Sequence, residues 1–384
     1  MKMLAITAAI VSAGLTTADD TISVVSREFI YSSAPFRSAH ASTIVETDEG
    51  LVAAWFGGTA EKHPDVGIWS ARRDGGGWSP PMEIARGVQP DGRQLPTWNP
   101  VLVQFPDGPL VLFYKVGPSP SEWWGMVTAS DDRGRTWTTP ARLPNGILGP
   151  IRAKPVLLDD GTMLAGSSTE DHGWQVHMER LRIRDKGRGT KDEGRETKDE
   201  GQGTKDEGGR AGASSWMAWI TSPAAWTRTE ALSAPDRFAA IQPTILVHSA
   251  TTFQILCRTE QGVIAESWSS DSGGTWSPLK ATALPNPSAG IDGVSLPGVG
   301  FLLAYNPSSA NRHTLAVSLS ADGVSWSQPF VVEEGPGEYS YPAMIVTRDG
   351  MVHLTYTWRR ERIRHVTLRV SANPSTAGTP RRGD

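Results

Sequence analysis

An eight-residue pattern occurs twice in this chain, as SDDRGRTW at residues 130–137 and as SSDSGGTW at residues 269–276. A shortened copy, SADGVSW, begins at Ser320, and a degenerate copy, SARRDGGGW, begins at Ser70. Asp can accept backbone N–H bonds within a turn, Gly permits a positive φ, and Trp can pack beneath the turn. We therefore expect each copy to be a structural hairpin turn in a repeated β-unit.

Six units share one plan, which is a short apolar strand, a turn that is usually Asp-Gly or Glu-Gly, a second strand, a loop and a third strand. They begin HASTIVETDEGLVAAWFGG, NPVLVQFPDGPLVLFYK, AKPVLLDDGTMLAGSSTED, QPTILVHSATTFQILCRTE, IDGVSLPGVGFLLAYNP and YPAMIVTRDGMVHLTYTW. Asp-Gly between β-patterned runs is a strong hairpin signal. Five units then reach a Trp, the third through WMAWITSPAAW: Trp78, Trp137, Trp226, Trp276 and Trp326.

A fourth strand follows each of these Trp residues, for example PMEIA from Pro81. Four strands every ~40–60 residues is the spacing of a β-propeller. The sixth unit has no Trp turn, but ISVVSREFIYS from Ile22 can supply its outer strand and so remove the open edges. We predict an all-β, six-bladed propeller of four-stranded antiparallel blades over residues 22–370, closed by an N-terminal strand.

The repeated turns resemble the Asp-boxes, or BNR repeats, of the sialidase (neuraminidase) superfamily, over roughly residues 22–370. This resemblance implies a six-bladed fold with a site around its axis, where first strands begin and second strands end. Asp-boxes by themselves imply no activity, because non-sialidase enzymes and receptors also carry them.

Three segments fall outside the repeats. Residues 1–18 have a Lys, a short apolar run and a small-residue end, which predicts a signal peptide and a secreted or periplasmic protein. Residues 185–214 repeat TKDEG every seven residues without apolar side chains, which predicts a disordered insertion in the third blade. The tail, 371–384, is also predicted to be disordered.

Composition excludes several classes of partner. A formal net charge of −4 gives no reason to expect nucleic acid. No apolar run after the N-terminus approaches ~20 residues, so no membrane span is expected. Cys257 is the only cysteine, which excludes an intrachain disulfide. No Cys/His spacing matches a zinc site and no Gly-rich phosphate loop is present, so we expect neither metal nor cofactor.

The first unit carries two candidate catalytic residues. His40 falls where the sialidase resemblance places the first arginine of a carboxylate-binding triad, and Arg37 lies three residues too early. A histidine at the axis is a plausible general acid or base, with a reference pKa near ~6.5, although a structural histidine is the alternative. Glu61, in FGGTAEKHPD, matches the loop that carries the sialidase acid/base residue. Asp65 aligns better with a structural Asp.

The resemblance places two further triad arginines at Arg258, which ends a second strand, and at Arg312. An arginine on an apolar strand needs a partner, so a salt bridge between blades is the alternative for both. Asn306, near Arg312, is a further candidate for substrate binding.

The sialidase nucleophile is a tyrosine of the sixth blade. The spacing to the following turn favours Tyr341, whereas a Tyr-Ser dipeptide favours Tyr339. The glutamate that activates this tyrosine in sialidases is replaced here by Gln242, which cannot take a proton. Other residues that could line the cleft are Asn99, Tyr114, Lys115, Trp123, Trp124, Glu170, Asp171, His172, Trp358 and Arg359.

These residues leave three hypotheses open for an acidic-glycan partner. The leading one is an exo-glycosidase of exo-α-sialidase type that removes a terminal acidic sugar, with Tyr341 as nucleophile and Glu61 as acid/base. The second is a lyase or hydrolase for uronic-acid glycans that uses His40. The third is a propeller that binds glycans without catalysis.

Overall fold

The computed structural model describes residues 22–183, 212–234 and 236–371. These residues form twenty-five strands in six antiparallel sheets, with one α-helix and one 3₁₀-helix, Pro223–Ala225. The predicted six-bladed propeller is therefore confirmed. No helix in this part of the chain is long and apolar enough to cross a membrane.

The strands follow the blades in chain order. β1 (Ile22–Phe29) precedes blade one, whose strands are β2 (Ser38–Thr47), β3 (Gly50–Gly58), β4 (Gly67–Asp74), β5 (Gly77–Trp78) and β6 (Met82–Ala85). Blade two contains β7 (Thr97–Gln104), β8 (Leu110–Val116), β9 (Trp124–Ser130) and β10 (Ala141–Arg142). Blade three contains β11 (Val156–Leu157), β12 (Thr162–Thr169), β13 (Gln175–Arg182) and β14 (Trp226–Arg228).

The remaining three blades each follow the same order. Blade four contains β15 (Ala240–Val247), β16 (Phe253–Thr259), β17 (Val263–Ser269) and β18 (Lys280–Pro285). Blade five contains β19 (Asp292–Leu296), β20 (Gly300–Tyr305), β21 (Thr314–Ser320) and β22 (Phe330–Glu334). Blade six contains β23 (Tyr339–Val346), β24 (Val352–Trp358) and β25 (Arg362–Val370), and β1 completes it.

The ring closes as the sequence predicts. β1 pairs antiparallel with β25, from Ile22 opposite Val370 to Phe29 opposite Arg364. The apolar faces of adjacent blades pack on each other; Leu302 of blade five, for example, lies in one buried cluster with Met344 of blade six. This face-to-face burial is the main source of hydrophobic stabilisation in such a ring.

Blade three differs from the other blades. The segment WMAWITSPAAW forms helix α1 (Ala213–Ile220) rather than a strand, and the third strand is β13, which precedes the predicted insertion. Trp216, Met217 and Ile220 are buried against blades two and three, so the apolar face of this helix packs on the blades in addition to the four strands of blade three. The predicted insertion lies mostly outside the described residues, but its last two residues, 213–214, begin α1. The predicted signal peptide and most of the tail also lie outside them.

The repeated octapeptides are structural turns. In the first, the Asp132 carboxylate accepts hydrogen bonds from Ser130 Oγ at 2.8 Å and from Thr136 N at 2.8 Å and Oγ1 at 2.6 Å. Asp271 repeats this pattern, and its bond from the backbone of Thr275 helps to lower the pKa of the carboxyl to about 2. The carboxylates are thus used inside the turns, away from the axis.

In four blades, a β-bulge interrupts the innermost strand close to its first residues. In blades one, two, four and six the register shifts beside a residue of positive φ: Ala41 (52°), Asn99 (39°), Gln242 (56°) and Tyr341 (54°). A non-glycine residue in this region is strained, and such strain concentrates at functional sites. The bulges therefore mark one end of the axis as the place to look for a site.

Candidate active site at the propeller axis

Three arginines surround the ring of Tyr341. The guanidinium carbons of Arg152, Arg258 and Arg312 lie 5.1, 5.5 and 5.7 Å from the centre of that ring. Arg258 Nη1 also donates a hydrogen bond of 2.9 Å to Tyr341 Oη. The four residues come from blades three to six, so the site is a cationic cluster around one phenol, and guanidinium groups suit carboxylate recognition.

Backbone carbonyls fix the arginines in place. The Ser288 carbonyl accepts from Arg258 Nη1 at 3.0 Å and from Arg312 Nη2 at 2.9 Å, and Ser288 itself has a φ of 55°. Arg152 donates to the carbonyls of Ile291, at 2.9 Å, and Pro342. Burial lowers the pKa of Arg152 to about 10, so it still carries its charge at neutral pH.

Gly290 leaves room for this cluster. A Cβ atom at that position would lie 2.9 Å from Arg152 Nε and 3.3 Å from Tyr341 Cγ. Real Cβ contacts are essentially never shorter than 3.0 Å, so any larger residue would displace one of the two side chains. The close approach of the loop before β19 therefore requires glycine.

His40 packs against the same tyrosine. The His40 and Tyr341 ring centres are 4.1 Å apart, and neither ring nitrogen of the buried His40 has a hydrogen-bond partner among the described residues. Burial holds the pKa of His40 well below its usual value, and the charge of Arg360 lowers it further. His40 is therefore a neutral imidazole packed against the phenol ring.

An ion-pair network forms the outer wall of the site. Glu338 accepts hydrogen bonds from Arg312 Nη1 at 2.9 Å, Arg360 Nε at 2.7 Å and Ser340 Oγ at 2.6 Å. Burial alone would raise the pKa of Glu338, but the hydrogen bonds from Arg360 and Ser340 and the charge of Arg360 hold it at about 2. Arg360 also pairs with Glu61. Glu61 thus lies at the outer end of the network and is not bonded to Tyr341.

The structure brings together Tyr341, His40, Arg258 and Arg312 among the residues named from the sequence. Gln242 lies near them, since the adjoining Ile241 pairs with Arg258 and the buried Gln242 Oε1 has no partner among the described residues.

Three other predicted residues lie elsewhere. Tyr339 is buried in the core with blade five, and its hydroxyl donates to the Pro336 carbonyl at 3.4 Å. Asn306 Nδ2 donates to the carbonyls of Thr314 and Tyr339, so it ties two blades together. Arg37 is exposed, and the structure shows no hydrogen bond or ion pair between its side chain and the cluster. The guanidinium groups of the three arginines lie near the Tyr341 ring, whereas Tyr339 contacts Arg312 through its backbone, with its N–H donating to the Arg312 carbonyl at 2.9 Å.

Sequence reasoning did not assign Arg152, Glu338 or Arg360 to the site. Arg152 lies just before β11 and, counted back from the Asp-Gly turn of its blade, holds the position in blade three that Tyr341 holds in blade six, so comparison of the strand starts could have found it. Arg360 lies in the tight turn between β24 and β25 with a φ of 58°, and no sequence signal directs it to the axis.

Unpartnered polar atoms collect at this site. Five buried atoms lack a hydrogen-bond partner among the described residues: His40 Nδ1 and Nε2, Arg152 Nε, Arg258 Nε and Gln242 Oε1. Buried polar atoms in proteins are nearly always bonded, so such a concentration is typical of a ligand site. In the part of the chain that the structure describes, no group of three or more His, Cys, Asp or Glu side chains is placed to hold a metal ion.

Known proteins resemble this chain in domain type and in fold. The sequence profile of the BNR repeat-like domain matches residues 49–354. No curated protein matches the chain in sequence. Among solved structures, the Hadza microbial sialidase Hz136 is similar, with a TM-score of 0.63, 16% identity, and coverage of 86% of this chain and 65% of that one.

Two more sialidases show the same likeness. The NanB sialidase from Streptococcus pneumoniae has a TM-score of 0.63 at 12% identity, over 90% of this chain and 70% of that one. The Trypanosoma rangeli sialidase has a TM-score of 0.57 at 13% identity, over 87% of this chain and 55% of that one. At these identities the likeness is one of fold, and this chain spans between about half and 70% of the length of those proteins.

Proposed function

The chain belongs to the BNR repeat-like family, and from that premise we propose that it is a carbohydrate-active enzyme that removes a terminal acidic sugar from a glycan. The observation that carries this proposal is the convergence of Arg152, Arg258 and Arg312 on Tyr341. A cationic, largely buried cluster around one reactive side chain suits an anionic substrate that reacts close to its charge.

The substrate carboxylate is bound by the arginines. Nε of Arg152 and Nε of Arg258 are buried without a partner among the described residues, so each has a donor to offer. Arg312 is less available to bind the substrate carboxylate, because its guanidinium group already forms an ion pair with Glu338. Guanidinium groups bind carboxylates through paired N–H bonds, which fix the sugar's orientation as well as its position.

Tyr341 is the nucleophile in this proposal. Its oxygen attacks the anomeric carbon, and the phenolic proton passes to the neutral His40 once the bound substrate brings the two groups within hydrogen-bond distance. The bond from Arg258 Nη1 stabilises the charge that develops on the oxygen. Tyrosine nucleophiles are an established exception to the two-carboxylate mechanism of glycosidases. The leaving oxygen then needs a carboxylic acid, and Glu61 and Glu170 are candidates on this face.

A second candidate reaction is β-elimination on a uronic-acid glycan. It is favoured by His40, which has two free nitrogens beside Tyr341 in a place where the sialidase resemblance expects an arginine. His40 would remove the proton on the carbon next to the carboxylate, and Tyr341 would give its proton to the departing oxygen. The carbon–oxygen bond breaks as the double bond forms, so one proton is taken and one is given.

Turnover of two substrates by the same protein separates these reactions. The parent enzyme and Tyr341→Phe are assayed on an aryl α-sialoside, by release of the aryl alcohol, and on an oligouronate, by the ultraviolet absorbance of an unsaturated uronate. We expect the parent to release the alcohol, and the variant to lose on the order of 10³–10⁶-fold in kcat.

The other outcomes assign the protein differently. An unsaturated product that disappears in His40→Ala would establish elimination. Calorimetric binding of an acidic sugar without turnover of either substrate would establish a non-catalytic binding propeller and reject the proposal.

A further inference from the structure

A second pocket adjoins the axial site between blades two and three. Its volume is about 210 Å³, below the ~300–1,000 Å³ of sites for drug-sized ligands, which limits the occupant to a small group such as one sugar residue. The side chains that line it include Trp123, Trp124, Arg142, Glu170, Asp171 and Arg228. We refer to it as the Trp123 pocket.

The walls of the Trp123 pocket suit a neutral polyhydroxylated ring. The indole rings of Trp123 and Trp124 supply apolar surface. The guanidinium carbon of Arg142 lies 4.8 Å from the centre of the Trp124 ring, and this cation–π contact helps to hold the ring in place. The pocket lining mixes groups of both signs, with Arg142 and Arg228 beside Asp171 and Glu170, whereas arginines predominate around Tyr341. This contrast separates a subsite for an acidic sugar from a subsite for an uncharged one.

Glu170 lies where the two sites meet. Its carboxyl lines the Trp123 pocket and is hydrogen-bonded with the Trp174 side chain, and the Trp174 ring lies 5.0 Å from the guanidinium carbon of Arg258. Arg258 in turn donates to Tyr341 Oη. Three successive contacts, through Trp174 and Arg258, therefore connect Glu170 in the pocket lining to the reacting residue.

Glu170 is also better suited than Glu61 to give up a proton. Glu61 is paired with Arg360, whereas Glu170 forms no ion pair with any described residue. Burial raises the pKa of Glu170; Arg258 and the bond with Trp174 oppose this, and the nearby carboxylates Glu260 and Glu61 add to it. A partly desolvated carboxyl with carboxylate neighbours is the arrangement that keeps a general acid protonated.

We propose that the Trp123 pocket binds the neutral sugar to which the acidic sugar is attached, and that Glu170 is the proton donor to the glycosidic oxygen. This inference rests on the proposed function and names its leaving-group site and its acid. Glu170 gives its proton to the glycosidic oxygen as the bond to the anomeric carbon breaks, and the electron pair stays on that oxygen. The neutral sugar leaves as an alcohol while Tyr341 Oη bonds to the anomeric carbon and His40 takes the phenolic proton.

Water completes the cycle. Its oxygen bonds to the anomeric carbon, its proton goes to the Glu170 carboxylate, and the bond to Tyr341 breaks. The phenolate recovers its proton from His40. The net reaction is glycoside plus water giving two sugars with free hydroxyls, with every protein group restored.

The test compares leaving groups. The parent and Glu170→Gln are assayed on an aryl α-sialoside, whose phenolate leaves without help, and on sialyllactose, whose alkoxide must be protonated. We expect Glu170→Gln to lose ~10²–10⁴-fold in kcat/KM on sialyllactose and less than about a tenth of that factor on the aryl substrate. Glu122→Gln, which replaces an exposed carboxylate next to Trp123 but outside the pocket lining, is the matched control and should leave the ratio unchanged.

The pocket is tested by Trp123→Ala, which should raise KM for sialyllactose on the order of 10-fold with little change for the aryl substrate. Equal losses on both substrates in Glu170→Gln, or none, would overturn the role of Glu170 while leaving the proposed function intact. An unchanged KM in a folded Trp123→Ala would overturn the pocket assignment. A parent that hydrolyses neither substrate would reject the proposed function, and this inference with it.

Discussion

The rings of His40 and Tyr341 lie with their centres 4.1 Å apart, although 301 residues separate them along the chain. One belongs to blade one and the other to blade six, and the innermost strands of these two blades, β2 and β23, pack directly against each other. The proposed chemistry therefore depends on how the first and last blades pack together.

The pH dependence of turnover tests the state of His40. Because burial and Arg360 hold the pKa of His40 well below 6.5, the imidazole stays neutral as the pH falls through 6.5. If neutral His40 is the active form, kcat/KM of the parent should not fall between pH 7 and about 6, and its acid limb should lie well below the ~6.5 of a free imidazole. A pH–rate profile with an acid limb at or above that value would contradict this role.

Arg258→Ala should remove most of the activity. The substitution deletes the donor to Tyr341 Oη and one of the free Nε groups, so we expect a loss on the order of 10²–10³-fold in kcat/KM. Arg258→Lys should recover only a small part, because an ammonium cannot reproduce the guanidinium's fixed donors.

The matched control for Arg258 is Arg37→Ala, which removes an exposed arginine that does not contact the cluster. Steady-state kinetics of all three folded variants provide the measurement. Equal losses in Arg37→Ala and Arg258→Ala would mean that general positive charge, rather than the axial arginine, supports turnover.

Gly290→Ala should damage the site without removing any functional group. Its Cβ would press on Arg152 Nε and Tyr341 Cγ, and overpacking of this kind costs ~1–3 kcal/mol. We expect lower kcat/KM and a lower midpoint of thermal unfolding. Gly75→Ala is the control, because a Cβ there meets nothing within 4 Å. Full activity in Gly290→Ala would show that the loop before β19 moves freely and that the packing described here is not needed.

The contacts between β1 and β25, which close the ring, should make the free energy of unfolding depend on pH. Glu28 of β1 bonds to His365 Nδ1 at 3.1 Å and to Arg73 Nε at 3.0 Å, and His365 Nε2 lies 2.9 Å from His353 Nδ1. Burial lowers the pKa of His365 to about 4, against partial opposition from Glu28. The unfolded chain therefore binds a proton at His365 more readily than the folded chain does. As the pH falls from ~6.5 to about 4, this difference progressively lowers the free energy of unfolding, by ~1–3 kcal/mol.

Denaturant unfolding of the parent and His365→Gln between pH 8 and 4 checks this. The variant should show a shallower decline in unfolding free energy over the acid part of the range. His172→Gln replaces an exposed histidine and should keep the parent's slope. Parallel curves for the parent and His365→Gln would assign the acid sensitivity to other groups.

The sequence by itself determined the repeat and therefore the fold. Asp-Gly turns, Asp-boxes and apolar strand pairs are local signals, because hairpins form between neighbouring segments, and their number fixes the number of blades. They also indicated that the N-terminal strand closes the ring, since only one edge lacked a partner. In blade three the local signal was lost, and the segment that contains Trp216, Met217 and Ile220 is a helix whose apolar face is buried against two blades, beside a complete four-stranded sheet.

Only part of the candidate site could be predicted from local sequence patterns. Residues that begin a first strand or end a second one, such as His40 and Arg258, could be named because their position in the repeat places them at the axis. Tertiary structure alone decided that Arg152 and Gly290 share space with Tyr341, that Arg360 reaches the axis from a turn, and that Asn306 and Tyr339 support the blades instead. These contacts join different blades, and each depends on how closely the blades approach around the axis, which no pattern within a single blade records.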